Sequence, residues 1–93
     1  MVGTIQIEGM ALGEKSVTLR YFSILRDEAG CSEEVINTTV TTLKALYEEQ
    51  RERHGWTLSL THVKVAVNGG FGRMSDAFGD GDEIVFLPPS AGG

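Results

Sequence analysis

Only one segment of this sequence repeats its apolar residues at helical spacing. Leu43, Leu46 and Tyr47 stand at i, i+3 and i+4, which on a 3.6-residue turn makes one stripe to bury. Thr42 or Thr41 supplies an oxygen to cap the first turn, and Gly55 stops the helix after about Arg53. The outer face carries Glu48, Glu49, Arg51, Glu52 and Arg53, with Glu49 and Arg53 spaced for an i,i+4 ion pair. A lone helix has no second helix to pack on. The runs around it alternate at period two, so the stripe must be covered by a sheet. An α+β architecture follows, a mixed sheet of about five strands with one main helix across one face. At 93 residues the chain has room for one such core.

The strands are read from alternation. Val17 to Leu25 places Val17, Leu19 and Tyr21 on one side and Thr18, Arg20 and Phe22 on the other. Arg26 to Gly30 reads as one helical turn closed by glycine, and Glu33 to Asn37 as the second arm of a hairpin. Trp56, Leu58 and Leu60 cover the core from a connecting loop. Val63 to Val67 is a strand, Asn68-Gly69 a two-residue hairpin turn, and Gly70 to Met74 a short irregular return. Asp80-Gly81-Asp82 turns the chain into a last strand, Glu83 to Leu87. If the first and last strands are central neighbours, they run parallel. Residues 1–14 stand apart as an edge strand or a mobile extension, 15–87 as the domain, and 88–93 as an extended tail.

Composition excludes several classes. Eight Lys and Arg against thirteen Asp and Glu give a net charge of −5, which repels phosphate backbones and argues against nucleic acid. No apolar run has the length of a membrane span, and residues 1–14 lack the pattern of a secretory signal. The single Cys31 cannot form an internal disulfide and suits a reducing, cytoplasmic setting.

A conventional active site is not legible. His54 and His62 have no Cys or His partner at zinc spacing, so no metal is expected. Cys31 sits beside acidic residues, which disfavour a thiolate. Asp76, Asp80, Asp82 and Glu83 have the composition of a calcium loop without its spacing. Gly69-Gly70-Phe71-Gly72 fits no phosphate loop, and no bound cofactor is expected.

The tail carries the remaining chemistry. Pro88-Pro89 stiffens the exit from the last strand, and Ser90, Ala91, Gly92 and Gly93 follow. A Gly-Gly end without Cβ atoms threads a channel that other side chains would block. An α-carboxyl, with a pKa of about 3.3–3.7, is ionised and unreactive at neutral pH. Conversion to an acyl-adenylate activates it, and a persulfide then displaces AMP. The domain itself need catalyse none of this.

Three stretches carry a family resemblance. They are Val17-Thr18-Leu19-Arg20-Tyr21-Phe22-Ser23 with Arg26-Asp27-Glu28-Ala29-Gly30, then Val65-Ala66-Val67-Asn68, then Gly81 through Gly93. Over about residues 16–93 the chain resembles the ubiquitin-like sulfur carriers, and most closely the small subunit of molybdopterin synthase. The resemblance implies a β-grasp fold and no catalysis by the chain alone. It implies a thiocarboxylate on Gly93, with Gly92, Ala91, Ser90, Pro89 and Pro88 forming the threading tail. The implied partners are the large catalytic subunit, a ubiquitin-activating-like adenylyltransferase that uses ATP, and a persulfide enzyme as sulfur donor. The long start, residues 1–14, departs from the family pattern. The same likeness leaves open carriers for cysteine, thiamine or RNA thiolation, a lysine-conjugated modifier, and a plain interaction module.

Alternation also suggests a docking face. With Ile84 and Phe86 turned to the helix, Val85 and Leu87 face away, joined by Phe22 and Ala66 if the strands lie side by side. The acidic bulk of the chain would then steer it toward basic rims on its partners.

Overall fold

The computed structural model describes residues 13–89. The described elements run β1 (Lys15–Tyr21), α1 (Ser23–Ala29), β2 (Glu33–Thr38), α2 (Leu43–His54), β3 (Lys64–Val67), β4 (Gly70–Gly72) and β5 (Glu83–Leu87), with a 3-10 turn at Leu60–His62. The sheet order is β2-β1-β5-β3-β4. β1 and β5 are parallel neighbours at its centre, and every other pairing is antiparallel. One face is covered by α2. This is the expected ubiquitin-like β-grasp.

The core follows from the alternation. Val17, Leu19 and Tyr21 from β1, Val65 from β3, and Ile84 and Phe86 from β5 are buried against Leu43, Leu46 and Tyr47 of α2. Thr42 caps α2, its hydroxyl accepting from the Ala45 amide at 3.2 Å, and the helix ends at Gly55 in the left-handed conformation. Trp56 closes one end of the core and donates its indole N–H to the Leu25 carbonyl at 3.0 Å. Tyr47 stacks on Trp56 with ring centroids 5.2 Å apart, and its hydroxyl donates to the Leu58 carbonyl. Leu58 and Leu60 pack on the core only partly buried.

The first strand is shorter than the alternation indicates. It stops at Tyr21, and Ser23, Ile24 and Leu25 begin α1 instead of continuing β1. The reason is backbone geometry: Ser23 has φ +56°, a left-handed value that turns the chain out of the sheet. The helix then buries Leu25, which the strand reading left in the sheet.

The Glu49–Arg53 pair is also superseded. Arg53 reaches across to β2, with two guanidinium nitrogens 2.9 Å from the two oxygens of Glu34. Glu49 instead accepts from the Thr38 hydroxyl at 2.8 Å. Tyr21 donates to Glu34 at 2.5 Å, and His54 Nε2 lies 2.7 Å from the same carboxylate. Three side chains, Arg53, Tyr21 and His54, therefore converge on one acid and tie β1, β2 and α2 together. The Arg53 fork, with the Tyr21 and His54 hydrogen bonds opposing the cost of burial, pulls the Glu34 carboxyl from 4.5 down to about 2. Burial, and then the hydrogen bond to Glu34, push the Tyr21 phenol upward.

A carboxyl whose folded pKa is depressed stabilises the fold above its unfolded pKa and loses that contribution as pH falls toward the folded value. The window here is about pH 4.5 down to 2. We expect wild type to lose on the order of 2 kcal/mol from this group across that window. Glu34→Gln should be less stable at pH 7 and flatter below pH 4.5. Urea unfolding at pH 7, 4 and 2 checks both, and identical acid limbs would refute the assignment.

Candidate functional site

The sheet face away from α2 is organised by strand register. Directly paired residues share a face, so the pairs Phe71–Ala66, Ala66–Val85, Val85–Arg20 and Arg20–Glu33 form one row across all five strands. One step nearer the end of β5, Leu87 pairs with Lys64. Continuing the β1–β5 register by one residue sets Phe22 beside Leu87. The four residues expected to share this face, Phe22, Ala66, Val85 and Leu87, are thus neighbours. Ala66, Val85 and Leu87 are half-buried, and Phe22 is 45% exposed.

Phe71 belongs to the same patch and is 77% exposed, the most exposed of the large apolar side chains described. The sequence reading passed over it. The signal was present in the Asn68-Gly69 turn, whose φ values of +51° and +88° close a two-residue hairpin. Such a turn pairs Val67 with Gly70 and therefore Ala66 with Phe71.

Phe22 owes its placement to its neighbour. It remains extended, with φ −132° and ψ 155°, and its carbonyl accepts from the Leu25 amide at 3.2 Å. The left-handed Ser23 that follows diverts the main chain into α1 and leaves the Phe22 ring at the sheet end. Ile24, on the first turn of α1, is also exposed.

Charge divides this face. Arg20 on β1 lies 3.4 Å from Glu33 on β2 and from Glu83 at the start of β5. These bridges are about half exposed and contribute little stability. The apolar half lies toward β3, β4 and the end of β5, where Pro88 and Pro89 lead off the sheet. Ser90, Ala91, Gly92 and Gly93 lie outside the described residues, as do residues 1–12.

The other candidates serve structure. His54 is part of the Glu34 cluster, and His62 is exposed on its 3-10 turn. Asp80 accepts from the Ser16 amide, Asp76 from the Arg73 amide, and Asp82 from the Gly79 amide and the Asn68 side chain. The backbone bond from Gly79 and the Asn68 bond hold the Asp82 carboxyl below its usual value. Cys31 is a half-buried free thiol. Among the described residues no three His, Cys, Asp or Glu side chains converge as a metal site. No described helix is long and apolar enough to cross a membrane.

The sequence profile of the ThiS family matches residues 19–93. The chain belongs to the ThiS family. It is a small ubiquitin-like sulfur carrier of that type. Among solved structures, a putative molybdopterin converting factor subunit 1 from Pyrococcus furiosus is 28% identical, with a TM-score of 0.69 over 82% of this chain and 99% of that one. A chain of the complex of subunits 1 and 2 of molybdopterin-converting factor from Helicobacter pylori is 28% identical, with a TM-score of 0.56 over 84% and 99%. A chain of the BexX/CysO complex of Amycolatopsis orientalis, at 24% identity, has the same fold, with a TM-score of 0.60 over 83% and 99%. No curated protein sequence matches this one.

Ser23 gives a direct test of how Phe22 is presented. A left-handed conformation costs about 1–2 kcal/mol for a residue with a Cβ, and more for a β-branched one. Ser23→Val should lower stability by about 1–2 kcal/mol, whereas Ser23→Gly should hold or raise it. Paired urea titrations measure this, and equal stability of the two variants would contradict the strained turn.

Proposed function

We propose that the chain is the sulfur-donating subunit of a molybdopterin synthase. The observation that carries the proposal is the continuity between the apolar outer face and the root of the tail. Leu87, the last residue of β5, lies on that face beside Lys64, and Pro88-Pro89 follows at once. A partner that covers the face therefore receives the tail at a fixed point. The family match extends to Gly93, one similar chain is described as a putative molybdopterin converting factor subunit 1, and another comes from a complex of that factor's subunits 1 and 2.

In this reading the Gly93 carboxylate attacks the α-phosphate of ATP on an adenylyltransferase, releasing pyrophosphate. A persulfide sulfur attacks the resulting acyl carbon and AMP leaves. A thiol then cleaves the acyl disulfide, forming a new disulfide and freeing the Gly93 thiocarboxylate. The large subunit accepts the tail and passes the sulfur to a pterin precursor. This chain supplies position and no acid, base or cofactor. Gly92 and Ala91 keep the tail slim, while Pro88, Pro89 and Ser90 extend it. Phe22, Ala66, Val85 and Leu87, joined by Phe71, form the docking surface, where a buried aromatic contact typically dominates binding.

Deleting Gly93, or Gly92→Phe, should abolish thiocarboxylate formation without changing the thermal midpoint. The intact mass of the chain purified from its own host reads the sulfur directly, and a retained thiocarboxylate on either variant would refute the mechanism. Phe71→Ala should weaken binding to the large subunit by about tenfold or more, an effect of the size found at interface anchors. Calorimetric titration of the two purified proteins measures it. Thiocarboxylate on the wild-type chain, without binding to the large subunit, would assign the sulfur to another acceptor.

A further inference from the structure

One side of the sheet ends on β2, whose far edge pairs with no other strand among the described residues. The main-chain groups open on that edge can be named. The Tyr21 amide donates to the Ser32 carbonyl at 2.9 Å, while the Thr18 amide donates the other way, to the Asp82 carbonyl ahead of β5. Bonding alternates along an antiparallel ladder, so Glu34, Ile36 and Thr38 turn their N–H and C=O groups toward β1. Those of Glu33, Val35 and Asn37 point outward from the sheet. The Val35 side chain beside them is 66% exposed. An open row of this kind is a template for one more strand.

Between this edge and α2 lies a groove of about 400 Å³, lined by Val35, Ile36, Asn37, Glu49, Gln50 and Arg53. The polar groups that α2 places there already have partners. Glu49 accepts from the Thr38 hydroxyl and the Gln50 amide, and Arg53 donates to Glu34 and to the Gln50 oxygen. No charge in the groove is left for a ligand to neutralise, and Ile36 offers it partly buried apolar surface. The groove therefore suits apolar side chains of a strand laid along β2. A second copy of the chain fits poorly, since two-fold pairing of β2 would set Glu33 and Glu34 twice along one seam.

We propose that the occupant is residues 4–8 of the same chain, Thr4-Ile5-Gln6-Ile7-Glu8, added parallel to β2 with Gln6 opposite Val35 and with Ile5 and Ile7 in the groove. Twelve residues precede Gly13, and Glu8 is the one charged side chain among them. Alternation then sets Thr4, Gln6 and Glu8 on the outer face with Glu33, Val35 and Asn37. In this register the Val35 amide donates to the Ile5 carbonyl, and the Ile7 amide donates to the Val35 carbonyl. The direction follows from where the chain enters β1, at Lys15, which pairs with Thr38 at the end of β2. The link from Gly9 to Lys15 reaches about 20 Å, and it has two strand spacings to cross, about 10 Å. An antiparallel strand would make the same link also run back along β2, about 17 Å more. Tethering holds the segment near millimolar effective concentration, an advantage denied to strands of other molecules, which Glu34 discourages. The inference concerns the edge alone and does not depend on what the tail carries.

The test is amide hydrogen exchange on the full chain, read residue by residue by NMR. Val35 and Asn37 should be protected as Ile36 is, at a level independent of protein concentration. Deleting residues 1–12 should speed exchange at Val35 and Asn37 by about tenfold or more, with Ile36 unchanged as the internal control for the fold. Two proline variants of the full chain test the register. Ile7→Pro removes a donor to β2 and should expose Val35 and Asn37, whereas Gln6→Pro removes an N–H that faces away and should leave them protected. Fast exchange at Val35 and Asn37 beside slow exchange at Ile36 in the full chain would show an open edge and overturn the proposal. Protection that survives the deletion, or that rises with protein concentration and so belongs to a second copy, would also overturn it. Equal effects of the two prolines would overturn the register.

Discussion

The parallel pairing of β1 with β5 is the contact on which the rest of the molecule depends. It sets Leu19 against Ile84 and Tyr21 against Phe86 in the middle of the sheet, burying all four beneath α2. Two parallel strands cannot be joined by a tight turn, so the chain between them must travel. That path contains β2, α2, β3 and β4, and it places the helix over the inner face. The same pairing brings the proposed docking residues together. Parallel strands end on the same side, so Phe22, after β1, and Leu87, at the end of β5, meet at one edge. The tail starts from that edge.

Polar chemistry inside the fold is used for architecture. Glu34 would be costly beneath the sheet edge as an unpaired charge. With Arg53, Tyr21 and His54 on it, the acid becomes a clamp between β2 and α2. An inward-facing acid on an edge strand also discourages another strand from adding there. The carboxylates of the 76–83 segment hold its turns in the same local way. Side chains committed to such bonds are poor candidates for proton transfer. Their use is consistent with a domain that offers its end to other proteins' active sites.

Much of this could be read from residue order, because alternation and helical spacing are local signals. The stripe of Leu43, Leu46 and Tyr47 and the inward set of Val17, Leu19 and Tyr21 are where periodicity placed them. Two of the misreadings, at Ser23 and at Arg53, share a cause, which is information held elsewhere in the chain. Nothing in Phe22-Ser23-Ile24 announces a left-handed serine, since Ser23 has none of the glycine or asparagine character that usually marks one. The partner of Arg53 lies 19 residues away, at Glu34 on β2 and not at Glu49 in its own helix. Phe71 was missed for a different reason, since its place followed from a turn already recognised. The outward-facing set Phe22, Ala66, Val85 and Leu87 was legible once the strand neighbours were assumed. Its role is the subject of experiment.

A carrier with a slender tail faces a problem of discrimination. Two glycines offer almost no side-chain surface, so an enzyme gripping only them would accept any similar end. Selectivity must come from groups held rigidly around the tail, where a mismatch leaves a charge or an apolar ring unpaired. Under the docking proposal those groups are the rings of Phe22 and Phe71, the strip of Ala66 and Val85, and the charged side chains of Arg20 and Lys64. Arg20, Lys64, Ala66 and Val85 lie on strands whose inner faces belong to the core; Phe22 directly follows one, and Phe71 is held by the pairing of β4 with β3. Their positions are thus fixed by the same packing that fixes the fold. A change in partner preference can be made on the outer face without disturbing the inner one, because alternation along each strand separates the two functions residue by residue.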